Sequence, residues 1–239
     1  MSPPAPLLRQ QFLAAQYTLR NERRDFPEWR RGRAHYVLWG IDVDTPEVRA
    51  RVQAAQQALA GLLLAPYQRQ PHITLAVCGF PAQSQPSAPD EFAPQHIATQ
   101  LAALRTQAPG AFAIEIGTLE SFTAAPFLTV RDGGQHLAAL RHCLHTDTND
   151  PQQHPQGAYV PHVTVGLYAD AWPCAQVAER FALLADAPPL PFAVRRLHLL
   201  GYEAAEIGGA LFTLAEYDLH SGRMHWRARR ADRPWLAQP

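Results

Sequence analysis

One pattern constrains this chain more than its composition does. Pro-His-apolar-Thr-apolar occurs twice, as PHITL at 71–75 and PHVTV at 161–165. Each copy opens an apolar run, QPHITLAVCGF and VPHVTVGLY, and His72 and His162 lie 90 residues apart. Side chains on an extended strand alternate between faces. His72, Thr74, Ala76 and Cys78 therefore share one face, and Ile73, Leu75 and Val77 the other. The second run puts His162, Thr164, Gly166 and Tyr168 on one side and Val163, Val165 and Leu167 opposite. The apolar triplets suit packing under helices, whereas the His/Thr faces suit the floor of a cleft. A lone strand histidine is ordinarily a packed or surface residue, and threonine simply favours strands. On composition, one motif with its proline and both apolar flanks arises by chance in roughly one chain in a hundred. A matched pair points to a shared site.

The order around the two motifs repeats as well. HYVLWGIDVD (35–44) reads as a buried strand, and Thr45-Pro46-Glu47 opens a helix with an N-cap hydroxyl, an N1 proline and an early carboxylate. That helix, PEVRARVQAAQQALAGLLL, is expected to run to Pro66. The first motif strand follows, then a Pro/Ser/Gln loop at 81–91, a helix over about 93–108 and a strand over 111–122. In the second half, a strand (126–132), a helix (135–146), a polar loop (147–159), the second motif strand and a helix (174–184) follow. Strands at 192–203 and 210–220 close the order. Strand, helix, His-Thr strand, helix, strand in both halves indicates an internal duplication about a pseudo-twofold axis. The expected organisation is a lead-in at 1–34, a two-lobed domain at 35–221 (repeats about 35–122 and 126–221) and a basic surface tail at 222–239.

Composition narrows the class of partner. With 47% hydrophobic residues the chain can build a core, and a formal charge of zero advertises no polyanionic partner. Three cysteines without a CxxC pair point to a reducing compartment. No apolar run reaches the ~20 residues of a membrane span, and the first residues lack the apolar centre of a signal peptide. The expectation is a cytoplasmic protein with no membrane association and no implied obligate protein partner.

Two imidazoles and two hydroxyls in one cleft meet the needs of phosphodiester cleavage without a metal. One imidazole takes a proton from the attacking oxygen and the other gives one to the leaving oxygen. Each threonine can hydrogen-bond a non-bridging phosphate oxygen as the phosphorus becomes pentacoordinate. No third ligand or Cys pair favours zinc, so neither metal nor cofactor is expected. Tyr168, on the His162 face, is a candidate platform for stacking a nucleobase. Arg131 and Arg195/Arg196 are candidate phosphate clamps. Arg30/Arg31/Arg33 and Arg227/Arg229/Arg230 are candidate polyanion contacts, with a solvated face as the plainer reading.

The paired HITL and HVTV motifs resemble those of the two-histidine (2H) phosphoesterase superfamily, and within it the 2′-5′ RNA ligases and 2′,3′-cyclic phosphodiesterases. The resemblance spans roughly 35–220, and the family's H-x-[ST]-x motifs map onto His72/Thr74 and His162/Thr164. It implies a bilobal α+β fold, with two antiparallel-type sheets and outer helices around a central cleft. It also implies metal-free opening of 2′,3′-cyclic phosphates to 2′-phosphates, with some members joining RNA ends reversibly through a 2′-5′ linkage. The implied substrate is an RNA end or a small cyclic nucleotide. The lead-in RRDFPEWRRGR, the loop at 81–91 and the basic tail depart from the pattern and leave the substrate open. The alternative is a nucleotide- or RNA-binding module that uses the same cleft without turnover.

Overall fold

Two sheets carry the chain in a computed structural model that describes residues 5–82, 85–145 and 159–227. The first sheet has the order β10-β9-β8-β1-β2-β3 and the second β6-β5-β4-β7. In chain order the strands are β1 (His35–Asp42), β2 (His72–Pro81), β3 (Glu91–Phe92), β4 (Phe112–Ser121) and β5 (Pro126–Arg131). β6 (His162–Thr164), β7 (Leu190–Val194), β8 (Arg196–Glu203), β9 (Leu211–Asp218) and β10 (Arg223–Trp226) follow. The helices are α1 (Ala5–Ala14), α2 (Pro27–Arg30), α3 (Pro46–Ala58), α4 (Pro94–Gln107), α5 (His136–Leu144) and α6 (Cys174–Phe181). All pairings are antiparallel except the two-residue β2–β3 contact. The α+β class and the paired sheets match the expectation.

The sheets repeat one scheme. β1 lies between β2 and β8, and β5 lies between β6 and β4, so each motif strand flanks the first strand of its own half. The outer strands, however, cross over. β4 closes the first half in sequence but pairs with β5, because only residues 122–125 join them and Phe122 N–H donates to Ala125 O at 3.0 Å. Such a short connection enforces antiparallel neighbours. β8 and β9 belong by sequence to the second half yet complete the first sheet beside β1. A boundary at 122–126 therefore does not separate the two sheets. The run 192–203, expected as one strand, splits at Arg195 into β7 of the second sheet and β8 of the first.

The helices cross as well. α3 follows β1 but packs on the second lobe: Arg51 donates to Gly117 O at 3.4 Å and Gln56 Nε2 to Val165 O at 2.9 Å. α5 follows β5 but packs on the first lobe, where Arg141 Nη1 donates to Leu75 O at 2.7 Å. Buried Gln100 of α4 ties this side together. Its Oε1 accepts Trp39 Nε1–H at 2.8 Å and its Nε2 donates to Leu144 O at 2.7 Å, so both ends of this buried amide are paired. Val37, Trp39, Ile41, Ile73 and Leu199 line the core face of the first sheet.

Local chemistry set the start of α3 as expected. Thr45 accepts Val48 N–H at 3.3 Å, ahead of Pro46. Its end is earlier than expected, at Ala58 rather than beside Pro66. Gly61 takes φ +83°, and Leu62–Leu64 run extended against 167–169, with Leu64 N–H bonded to Leu167 O at 2.8 Å. The lead-in is part of the fold rather than peripheral. Leu8 and Phe12 of α1 are buried, and Arg9 forms two 2.8 Å bonds with the buried Glu120 carboxylate. Trp29 packs with its ring tilted against Tyr36 and Phe80, while Arg33 pairs with Asp90 and Glu91. Arg30 pairs with Asp25, so the basic look of 30–33 is largely internal ion pairing. The tail begins with an ordered strand, β10, and Arg227 pairs with Glu216 at 2.9 Å; Arg229 and Arg230 lie outside the described residues. The polar loop expected at 147–159 lies outside them too, apart from Tyr159. The far end of the 81–91 loop returns onto β2, where Phe80 N–H donates to Asp90 O at 2.8 Å. Gly79 (φ +102°) permits this return, since a Cβ there would stand 2.3 Å from Asp90 O.

Candidate active site

β2 is bordered by β3 only at its far end, and β6 is an edge strand, so both motif strands present an open edge where the histidines lie. The two strands are in contact with each other, which places both motifs at the seam between the lobes. Residues directly opposite in an antiparallel ladder point to the same side. His72 faces Asp42 and Thr74 faces Gly40, while His162 faces Thr129 and Thr164 faces Phe127. Each sheet thus sets one His and one Thr on a common face.

The histidines are held in the same way. His72 Nδ1 lies 2.8 Å from Gln70 O, and His162 Nδ1 lies 2.7 Å from Val160 O. A carbonyl oxygen only accepts, so each Nδ1 carries a proton and each neutral ring presents the Nε2 lone pair for proton transfer. Burial disfavours the charged ring in both cases. The His72 pKa falls to about 4, chiefly through burial; the hydrogen bond to Gln70 opposes the fall, and the charges of Arg69 and His162 add to it. The His162 pKa is also lowered by burial, against the pull of its bond to Val160. Their surroundings differ. His162 packs edge-on against Phe122 at 5.1 Å and against Phe127 at 5.3 Å. His72 follows a segment clamped to the β8–β9 connection, where Gln70 Nε2 donates to Leu211 O at 3.1 Å and Leu211 N–H returns to Gln70 Oε1 at 2.7 Å. Among the described residues no group of three or more His, Cys, Asp or Glu side chains is placed to hold a metal ion.

The auxiliary residues fare differently. Tyr168 presents no ring to a ligand, because it is fully buried with its hydroxyl 2.6 Å from Ser121 Oγ. Ser121 spends its own proton on backbone carbonyls, so the phenol is the donor here. The strand alternation that would have turned Tyr168 outward stops at Thr164, where the Leu62–Leu64 segment takes over the pairing at 167–169. Tyr168→Phe is expected to cost about 1 kcal/mol in urea denaturation, the worth of one buried hydrogen bond, and to leave turnover within about twofold of wild type. Arg131 is exposed and paired with Glu115 at 2.8 Å, and Arg196 is paired with Glu216 at 3.2 Å. Three neighbours had no motif to reveal them. Tyr159 donates its hydroxyl to Thr74 O at 2.8 Å, Phe122 walls His162, and Arg69 acts on His72. Only Arg69 had a sequence cue, its place three residues before the motif histidine.

A family model described as the 2′-5′ RNA ligase superfamily matches residues 44–206. Among curated proteins none matches the chain. Of the solved structures, TT0787 of Thermus thermophilus is similar with a TM-score of 0.51 and 16% identity, over 77% of this chain and 98% of that one. E. coli LigT in apo form gives 0.48 and 18%, over 77% and 97%; the same protein complexed with 3′-AMP gives 0.47 and 16%, over 78% and 98%. At these identities the Thermus structure supports the fold alone. Among the described residues no helix is long and apolar enough to cross a membrane.

Proposed function

Since the chain belongs to the 2′-5′ RNA ligase superfamily, we propose that it is a metal-independent phosphodiesterase that opens 2′,3′-cyclic phosphates at RNA ends or on related nucleotides. The observation that carries this reading is the pair of imidazoles on adjoining motif strands, each anchored through Nδ1 to the carbonyl two residues earlier. In the proposed step a water oxygen bonds to phosphorus and the P–O3′ bond breaks. One histidine Nε2 takes the water proton and the other, protonated, gives a proton to O3′, leaving a 2′-phosphate. In this reading the Thr74 and Thr164 hydroxyls donate hydrogen bonds to the non-bridging oxygens, where charge builds in the transition state. With a 5′-hydroxyl in place of water as the nucleophile, the same P–O3′ cleavage and the same two proton transfers join two ends through a 2′-5′ linkage.

Burial keeps both rings neutral in the free protein, whereas the acid role needs one of them charged. A bound phosphate anion supplies the countercharge, raising both pKa values toward neutrality. The reading is tested by incubating the protein with adenosine 2′,3′-cyclic phosphate in excess EDTA. Sustained conversion to the monophosphate is expected. Activity lost in EDTA and restored by zinc or manganese would overturn the metal-free mechanism, and a nucleotide that binds without turnover would replace the enzyme reading with the binding-module one.

A further inference from the structure

The electrostatics of the cleft are lopsided, and the cause is one arginine. The segment before β2 lies against the connection between β8 and β9: Gln68 N–H donates to Gly208 O at 2.8 Å and Arg69 Nε to Gly209 O at 3.3 Å. These bonds and the Gln70–Leu211 clamp fix the Arg69 backbone, while its guanidinium lies 4.1 Å from the centre of the Tyr202 ring. Stacking and the Gly209 bond hold the plane in one orientation. Arg9, Arg33, Arg131 and Arg196 each pair with a carboxylate, but among the described residues no carboxylate pairs with Arg69. A half-buried guanidinium with no countercharge is costly unless an anion arrives from outside. This one also stands close enough to disfavour protonation of His72. Among the described residues no charged side chain acts comparably on His162, which is walled by Phe122 and Phe127.

We propose that Arg69 is a substrate-phosphate ligand of the cleft and fixes the roles of the two histidines, His72 as base and His162 as acid. The proposal rests on the phosphodiesterase reading above. When the substrate phosphate enters, its negative charge favours protonation of both rings, but Arg69 offsets that pull at His72. His72 stays neutral and takes the proton of the attacking water. His162, with phosphate nearby and no opposing cation, carries the proton that goes to O3′. Tyr202 acts behind Arg69, as the surface that keeps the guanidinium flat.

Arg69→Gln and Arg69→Lys separate this from a merely structural role. Three quantities are compared with wild type: binding of adenosine 2′-monophosphate by calorimetry, imidazole titration midpoints by NMR in the free protein, and the pH dependence of kcat/KM. Arg69→Gln is expected to weaken nucleotide binding roughly tenfold or more. It should also raise the His72 midpoint by roughly half a unit or more and leave His162 unmoved. Because a base works only when deprotonated, the acid limb of kcat/KM then moves to higher pH. Arg69→Lys should restore the His72 midpoint but only part of the affinity, since an ammonium lacks the fork and the stacking plane. Wild-type affinity together with an unmoved His72 midpoint in Arg69→Gln would sink the proposal. If Arg69→Gln fails to fold, Arg69→Lys decides: unchanged affinity overturns it. Wild-type protein that turns over no cyclic phosphate would defeat the phosphodiesterase reading and with it the role assignment. The binding and NMR arms would then still decide whether Arg69 is an anion ligand.

Discussion

His72→Ala and His162→Ala are each expected to lower kcat by about 10²–10⁴-fold on a 2′,3′-cyclic phosphate, the usual worth of a positioned acid or base. The double variant should be little worse than the weaker single one, because the two rings serve one proton relay and their losses do not add. KM should move far less than kcat, since in the proposed step the phosphate oxygens are bound by Thr74, Thr164 and Arg69 rather than by Nε2. The site makes a milder control available. His→Gln at either position removes proton transfer while keeping a polar side chain against the Gln70 or Val160 carbonyl. Equal loss in the Ala and Gln variants would assign the defect to proton transfer. Recovery in the Gln variants would assign it to packing and contradict the relay.

The second large effect is on acid stability, with a sign fixed by the direction of the His72 shift. Its folded pKa of about 4 lies below the ordinary 6.5, so between these values the unfolded chain binds a proton that the folded chain refuses. Stability therefore falls as pH drops from about 6.5 toward 4 and is unaffected by this group above that window. The accumulated loss at pH 4 is about 3 kcal/mol, and His162 adds to it in the same direction. Urea denaturation of wild type and His72→Gln at pH 7.5 and pH 4 should show the gap between them change by about this amount in favour of the variant. Identical acid sensitivity would mean that His72 is not held neutral by burial. The same cause sets the rate profile. kcat/KM reports the free protein and should peak on the acid side of 6.5, whereas kcat, reporting the phosphate complex, should peak higher.

Much of the fold was legible because local rules and tertiary packing agree. The cap at Thr45, the buried strand β1 and the His-Thr strand of β2 all appear where the sequence places them. The duplicated order also foretold two sheets with a motif strand in each. Which outer strand joins which sheet was not legible, because strand pattern does not encode partners; a four-residue turn after Ser121 does, and it sends β4 across to β5. The break at Arg195 was hidden because the residues on both sides of it, in β7 and in β8, have the same strand preferences. Tyr168 misled for a related reason. Period-two alternation holds only while the strand continues, and here it ends at Thr164, so the ring turns inward to Ser121. Arg69 was one arginine among 21 in sequence, and its isolation from carboxylates appears only when the segment folds onto 208–211.

The central claim is that His72 and His162 form one site for opening a cyclic phosphate. It is tested most directly with a short RNA ending in a 2′,3′-cyclic phosphate, incubated in EDTA with wild type and each His→Ala variant, with the products resolved as 2′- or 3′-monophosphate. The account predicts a 2′-phosphate product from wild type and its loss in both variants. A 3′-phosphate product, or wild-type turnover in either variant, would contradict it.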